Sequence, residues 1–233
     1  MIKNILIDLD GTLLPMNQEE FLDGYFKVIA SKFKEFDLKL FMNALSMGIN
    51  AMIGNDGLMT NEQRFWQVFF SYIKDENKIA SSFVDLYENE FQTLIKFTQP
   101  TPKAKELIDI FKEKKLNIYC CTNPLFPSIA THSRIRWANL KPNDFNYITT
   151  YENSTYAKPN IKYYEEVLNK FNLNPEECIM IGNDVLEDLV VKKLNIKTFL
   201  LTDNLINSKN ATIETDYQGN FDDLLEFSKN INK

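Results

Sequence analysis

Residues that crosslink a chain or bind soft metals are scarce in this sequence, which holds three cysteines and one histidine among 233 residues. Cys120, Cys121 and Cys178 are odd in number and lack metal-ligand spacing, which predicts buried free thiols instead of disulfides or a zinc site. Because Cys120 and Cys121 fall within a predicted strand, their side chains should point to opposite faces. The lone His132 has no evident partner and is expected to be structural or exposed.

Long apolar runs and an excess of positive charge are also absent. No apolar stretch approaches the roughly 18 residues of a membrane span. The net charge of -6 gives no sign of the positively charged surface that binds nucleic acid. Asp8 and Asp10 lie where a signal peptide would still be apolar. We therefore expect a cytoplasmic protein, a monomer or small homo-oligomer, that binds neither a membrane nor nucleic acid.

Short apolar runs alternate with amphipathic stretches over residues 1–14 and roughly 98–233. Buried strands separated by helices predict an α/β fold with a doubly wound, Rossmann-like parallel sheet. The predicted strands are Ile2–Leu9, Leu116–Thr122, Phe145–Thr149, Cys178–Gly182 and Ile196–Leu201.

Residues 17–96 have a different pattern, in which large apolar residues follow helical spacing and no run is typical of a strand. This pattern predicts a helical insert over 16–97, placed within a catalytic core made of 1–15 plus 98–233. The insert is expected to be interrupted between Gly48 and Gly57, since three of the seven glycines lie there. The helical spacing is clearest at Phe21, Tyr25, Ile29 and Phe33, at Phe65, Phe69 and Tyr72, and at Phe83, Leu86, Tyr87 and Phe91.

Polar residues follow four of the predicted strands, and the carboxyl ends of parallel strands form the usual ligand site of such sheets. We therefore expect these side chains to meet in one crevice. Some of these residue types are common in turns without any function, so the prediction depends on the whole set. They are Asp8, Asp10 and Thr12; Thr122 and Asn123; Lys158, which with Pro159 is expected to open a helix; and Asn183, Asp184 and Asp188.

This set fits the hydrolysis of a phosphomonoester. Asp8 is the candidate nucleophile, and Asp10 is the candidate acid and base that protonates the leaving oxygen and then activates water. Gly11 would permit the turn that directs both carboxylates into the crevice. Lys158 would supply fixed positive charge, and Thr122, Asn123 and the N-terminus of the helix after Thr122 would bind phosphate oxygens.

Mg²⁺ is the expected cofactor, because it prefers oxygen ligands and few protein carboxylates. The candidate ligands are the carboxylates of Asp8 and Asp184 and the backbone carbonyl of Asp10. Thr12, Asn183 and Asp188 are expected to hold these ligands in position without binding the ion themselves.

The motifs resemble those of the haloacid dehalogenase superfamily, in particular its phosphatase branch with an α-helical cap between the first and second motifs. The resemblance spans nearly the whole chain and implies a cap domain that closes over a small phosphorylated metabolite. It also implies that the stretch Gly48–Gly57 is a cap loop that touches the leaving group. The residues that carry it are Asp8–Thr12 (DLDGT), Thr122 with Asn123, Lys158 before Pro159, and Gly182–Asp188 (GNDVLED).

Many members of this superfamily carry an acid where this chain has Asn183, so the metal role assigned to Asp184 stays open to a shift by one position. A phosphomutase remains an alternative, as does a phosphonate hydrolase that uses a cap lysine as a Schiff base. Dehalogenases of the family lack an acid at the position of Asp10. Outside these enzymes, a phospho-accepting signalling module or an inactive binding protein with the same fold would share most of the motifs.

Overall fold

The computed structural model describes all 233 residues and contains one six-stranded sheet in which every neighbouring pair is parallel. The strand order is β3-β2-β1-β4-β5-β6, with β1 at the centre. The predicted Rossmann-like α/β core is confirmed. The strands are β1 (Asn4–Ile7), β2 (Asn117–Cys120), β3 (Tyr147–Ile148), β4 (Cys178–Gly182), β5 (Lys197–Leu201) and β6 (Tyr217–Gly219).

All five predicted strands are present, although four are shorter than predicted. The sixth, β6, was not predicted, since its three residues are mostly exposed at the sheet edge and carry no apolar run. Along the central strands, Ile7 of β1 lies opposite Cys120 of β2 and Ile181 of β4. This register brings the carboxyl ends of the three strands to the same level.

Nine helical segments account for most of the remaining ordered backbone, and a further three short 3₁₀ turns join strands and helices. Five of the segments lie between β1 and α5, where the sequence predicted helices. Whether they form a separate cap domain over 16–97 stays a prediction. The segments are α1 (Gln18–Lys32), α2 (Leu38–Ile53), α3 (Asn61–Tyr72), α4 (Glu76–Glu88), the 3₁₀ segment Glu90–Phe97, α5 (Pro102–Glu113), α6 (Ser128–Trp137), α7 (Ile161–Phe171) and α8 (Phe221–Asn230).

Aromatic side chains from α1, α2, α3 and α4 pack together as the helical spacing predicted. The rings of Phe33 and Phe41 stack with centroids 4.5 Å apart, and Phe69 and Phe83 pack beside them. Tyr72 is the exception, since 40% of its side chain is exposed. The buried apolar side chains of these helices continue without a break into those on one face of the sheet.

The three cysteines are buried and free, as predicted. Cys120 belongs to the apolar cluster on one face of the sheet and Cys121 to the cluster on the other, which confirms that they point to opposite sides. No helix is both long enough and apolar enough to cross a membrane.

The predicted break at Gly48 is wrong, because Gly48 lies inside α2 and only residues 54–60 form a loop. A Cβ atom at Gly48 would lie 2.7 Å from the ring of Phe65, so the glycine allows α2 and α3 to approach closely. In this place glycine serves helix packing and does not interrupt the helix.

The predicted helix start at Lys158 and Pro159 is also wrong, whereas the helix expected after Thr122 is present but begins several residues later. Lys158 and Pro159 do not open a helix; Asn160 caps α7, which begins at Ile161. The helix after Thr122 begins only at Ser128, because Pro124 and Pro127 lie in the connecting segment and lack the N–H groups that a helix interior needs.

Gly48→Ala should lower the free energy of unfolding by about 1–2 kcal/mol, because the added methyl group overpacks the α2–α3 contact and outweighs the gain in helix propensity. Gly54→Ala is the matched control at the end of the same helix, where a Cβ atom would meet nothing nearer than 3.5 Å. Urea denaturation of both variants measures the difference. Equal stability of the two would contradict the close packing at Gly48.

Candidate active site

The carboxyl ends of β1, β2 and β4 surround a cavity of about 220 Å³. Asp8 directly follows β1, Thr122 follows β2 by two residues, and Asp184 follows β4 by two residues. The structure therefore brings together the acidic and hydroxyl groups that the sequence placed at strand ends. The polar residues that line the cavity are Asp8, Asp10, Gln18, Thr122, Asn123, Arg134, Asn183, Asp184, Glu187 and Asp188.

Lys158 lies behind the cavity wall, completely buried between two carboxylates. Its Nζ donates to Asp8 Oδ1 at 2.9 Å and to Asp188 Oδ1 at 2.7 Å. Burial opposes the charge on Lys158, but the charges of Asp188 and Asp8 outweigh it and raise the pKa of the ammonium well above its ordinary value. Lys158 is thus a fixed cation beside the candidate nucleophile.

The Asp8 carboxyl group is buried with only its edge open to the cavity. Burial raises its pKa to about 8, although the Lys158 ammonium opposes the shift, and the nearby charges of Asp188 and Asp10 add to it. The hydrogen bond from Lys158 uses Oδ1 and leaves Oδ2 available for chemistry.

Asp10 is paired with Arg134, a residue that the sequence analysis missed. Arg134 projects inward from α6, is 1% exposed, and forms an ion pair with Asp10 Oδ2. Its guanidinium lies 4.5 Å from the centroid of the Phe126 ring. Burial raises the pKa of Asp10, although Arg134 and Lys158 oppose the shift. The other oxygen of Asp10, Oδ1, is buried without a hydrogen-bond partner.

The loop after β1 is held against the loop after β4 by Asn183. Its Oδ1 accepts a hydrogen bond from Thr12 Oγ1 at 2.9 Å, and its Nδ2 donates to the carbonyl of Asn204 at 2.6 Å. Gly11 has a φ of 82°, as the predicted turn requires, and a Cβ atom there would lie 2.4 Å from Asn183 Nδ2. Both ends of the Asn183 amide are therefore engaged in positioning loops.

Asp184 and Asp188 organise the turn after β4. Asp184 Oδ1 accepts from the backbone N–H groups of Leu186 and Glu187 at 2.7 and 2.9 Å, which caps the turn. Asp188 Oδ2 accepts from the backbone N–H of Asp184 at 3.0 Å, while its Oδ1 binds Lys158. Asp188 thus connects the position of Asp184 to that of Lys158.

Thr122 and Asn123 are positioned by the loop after β3 and by α7. The carbonyl of Thr122 accepts from Thr149 Oγ1 at 2.7 Å and from the Tyr163 hydroxyl at 3.0 Å. Asn123 Oδ1 accepts from the backbone N–H of Lys158 at 3.2 Å, and its Nδ2 donates to Glu187 Oε1 at 2.9 Å.

Glu187 is a second residue that the sequence analysis missed. It lines the cavity, and burial raises its pKa to about 7. It lies within the GNDVLED segment, but the residue itself carries no signal that separates it from an exposed turn glutamate. Arg134 has no such signal either, because an arginine on a helix is usually exposed.

The first N–H group of α6, at the helix end that was predicted to bind phosphate, is already bonded to a side chain of the protein. The backbone N–H of Ser128 donates to Glu152 Oε1 at 2.8 Å, and the Ser128 hydroxyl donates to the same oxygen at 3.0 Å. Glu152 therefore occupies the position of an anion at this helix end. His132, also on α6, is partly buried and does not line the cavity.

The acidic residues fit a magnesium ion better than a metal held by many side chains. No three carboxylate, imidazole or thiol groups cluster closely enough to form a cage alone. Asp8 and Asp184 both line the cavity. The hydrogen bonds of Asp184 use Oδ1 and leave Oδ2 for a cation. Asp8 Oδ1 accepts one hydrogen bond, from Lys158, and keeps a lone pair for a cation, so that Oδ2 stays free for the reaction. Two carboxylates completed by a carbonyl and water are typical of Mg²⁺ sites.

The same overall fold is found in several solved structures. A HAD phosphatase from Thermococcus onnurineus aligns with a TM-score of 0.61 at 16% identity, covering 97% of each chain. L-2-haloacid dehalogenase from Xanthobacter autotrophicus aligns with a TM-score of 0.58 at 13% identity, covering 99% of this chain and 100% of that one. A protein from Bacillus subtilis described as a HAD-hydrolase bound to magnesium has a TM-score of 0.56 at 16% identity, covering 99% of both.

No curated protein matches the sequence. A sequence model of one family, described as haloacid dehalogenase-like hydrolase, matches residues 2–190. This range contains every strand end that lines the cavity. The protein therefore belongs to the haloacid dehalogenase-like hydrolase family.

Proposed function

We propose that this protein is a Mg²⁺-dependent phosphomonoesterase that forms an aspartyl phosphate on Asp8. The observation that carries the proposal is the position of Asp8, which opens on a cavity while a buried ammonium group holds its other side. Membership of a hydrolase family supports the reaction type. A phosphatase and a magnesium-bound hydrolase among the similar structures are consistent with the proposed activity and metal.

The proposed reaction has two steps. Asp8 Oδ2 forms a bond to phosphorus while the bond from phosphorus to the leaving oxygen breaks, and Asp10 gives that oxygen its proton. Asp10 then takes a proton from water as the water oxygen bonds to phosphorus, which releases phosphate and restores Asp8. The raised pKa of Asp10 favours the proton-carrying form that the first step needs.

Buried cations on the protein offset the charges of the two predicted catalytic carboxylates and so reduce their repulsion of a phosphate group. Lys158 lies at Asp8 and Arg134 at Asp10, so each predicted catalytic carboxylate has a buried basic partner. When bound, Mg²⁺ would add positive charge between the nucleophile and the phosphate oxygens. Asp8 and Asp184, with the carbonyl of Asp10, are the groups proposed to hold it.

Three other activities fit the structure less well. Dehalogenation has no use for an acid at the position of Asp10, and phosphonate cleavage through a Schiff base needs a lysine that the cavity lining lacks. A receiver module would have no need for the helices between β1 and α5. We propose a cytoplasmic enzyme, monomeric or a small homo-oligomer, acting on a small phosphorylated metabolite; the free buried thiols are consistent with a reducing compartment.

Asp8→Asn should reduce the hydrolysis of p-nitrophenyl phosphate by at least about 10³-fold, because an amide cannot form the covalent intermediate. The assay is run with Mg²⁺ and with EDTA, and circular dichroism checks the fold. Asp222→Asn, an exposed change on α8, is the control and should keep full activity. Hydrolysis by Asp8→Asn at the wild-type rate would refute the proposed nucleophile.

Asp10→Asn should separate the two steps. Acetyl phosphate has a leaving group that needs little protonation, so this variant should release about one equivalent of acetate per protein in a burst and then turn over slowly. The slow phase reflects the loss of the base that activates water. Rapid-quench measurement of acetate is the readout, and steady turnover without a burst would mean that Asp10 does not act as this base.

Mg²⁺ binding should weaken as the pH falls below about 8, because the ion needs an ionised Asp8 and burial raises the pKa of that group to about 8. For one carboxyl group, the affinity should fall up to about tenfold per pH unit below this value and level off above it. Calorimetric titration from about pH 6 to about pH 9 measures the effect. An affinity that does not change over this range would contradict the assignment of Asp8 as a ligand.

A further inference from the structure

A second cavity of about 240 Å³ adjoins the candidate active site, and its lining is entirely apolar or aromatic. All thirteen residues around it belong to these classes, and none carries a charge. They come from α1, α2, α3 and α4 on one side and from the loops after β2 and β3 on the other. The catalytic reaction described above makes no use of this space.

The two cavities share part of their walls. Leu22, Leu125 and Phe126 line both of them. The Phe126 ring lies 4.5 Å from the guanidinium of Arg134, the partner of Asp10, and its centroid lies 5.2 Å from that of Tyr25 inside the second cavity. The two cavities are therefore adjacent, and the Phe126 ring lies between the Asp10–Arg134 pair and the apolar space.

The few polar groups in the apolar cavity bond to other groups of the protein, and the Tyr151 hydroxyl bonds to the side chains of Trp66 and Glu62. The hydroxyl groups of Tyr25 and Tyr87 bond to each other at 2.6 Å, and burial raises the pKa of Tyr25 to about 12. A sugar placed here would lose its hydrogen bonds to water without gaining replacements. An apolar group would lose nothing and would be removed from water.

We propose that the substrate of this site is the phosphate ester of an apolar alcohol, whose carbon skeleton occupies the second cavity while its oxygen lies at Asp10. A cavity of about 150 Å³ is known to hold benzene, so by proportion this one holds roughly ten carbon atoms. A cyclic or branched alkyl group, or an aryl group, fits this size. The inference rests on the proposed phosphatase activity and names the leaving group that goes with it.

Two phosphate esters of matched shape test the inference. Cyclohexylmethyl phosphate and glucose 6-phosphate both carry the phosphate on a primary carbon attached to a six-membered ring, but only the sugar has ring hydroxyls. The value of kcat/KM should favour cyclohexylmethyl phosphate by on the order of 100-fold, mainly through KM. Equal values, or a preference for glucose 6-phosphate, would overturn the inference.

A pair of substitutions on α2 tests whether the preference for apolar esters arises from the apolar cavity. Ile49 lines the apolar cavity, whereas Ile53, one turn further, does not and is 43% exposed. Ile49→Asp should lower kcat/KM for cyclohexylmethyl phosphate relative to acetyl phosphate by at least about tenfold, and Ile53→Asp should leave this ratio unchanged. The same loss in both variants would overturn the proposed location.

Ile49→Phe provides a second route if the buried aspartate prevents folding. It keeps the wall apolar and reduces the free volume, so the preference should move from cyclohexylmethyl phosphate toward the smaller isobutyl phosphate. An unchanged preference would count against the cavity as the binding site. If acetyl phosphate hydrolysis depends on Asp8 but the enzyme does not prefer apolar esters, the inference about the substrate is wrong and the proposed function still holds. If the protein hydrolyses no phosphate ester at all, both are wrong.

Discussion

The ammonium group of Lys158, buried between Asp8 and Asp188, is the interaction on which the geometry of the site depends. It joins the end of β1 to the turn after β4 and to the loop before α7. Removing one partner of such a buried set leaves an uncompensated charge, so the three groups hold one another in place. Through Asp188, the same interaction also fixes the backbone at Asp184. The Asp10–Arg134 pair is a second contact of this kind, anchored on α6.

Charge is distributed very unevenly around the two cavities. The strand ends carry the acidic residues and their cations, whereas the helices between β1 and α5 contribute aliphatic and aromatic side chains to the space beyond. Phe126 lies at the boundary, with Arg134 on one side and Tyr25 on the other. The phosphate ester of an apolar alcohol would match this division, since its phosphate would lie with Mg²⁺ among the acidic residues and its carbon skeleton in the apolar space.

Much of the core was predictable because it depends on local patterns and on the topology of parallel sheets. Apolar runs located five strands, and the rule that ligands bind at the carboxyl ends of parallel strands implied that Asp8, Thr122 and Asp184 would meet. Arg134 and Glu187 could not be found in this way, since the burial of a charged residue depends on partners distant in sequence. Gly48 was misinterpreted for a related reason: the ring of Phe65 against which it packs belongs to another helix.

Peptide mapping after a rapid acid quench shows whether Asp8 is the residue that becomes phosphorylated during turnover. The wild-type protein is mixed with Mg²⁺ and a phosphate ester, quenched during turnover, digested, and analysed by mass spectrometry. We expect one added phosphoryl group on the peptide that contains Asp8, and none on that peptide when the ester is omitted. Phosphate bound to another residue, or rapid hydrolysis without any protein-bound phosphate under conditions that preserve acyl phosphates, would contradict the role of Asp8 as the nucleophile.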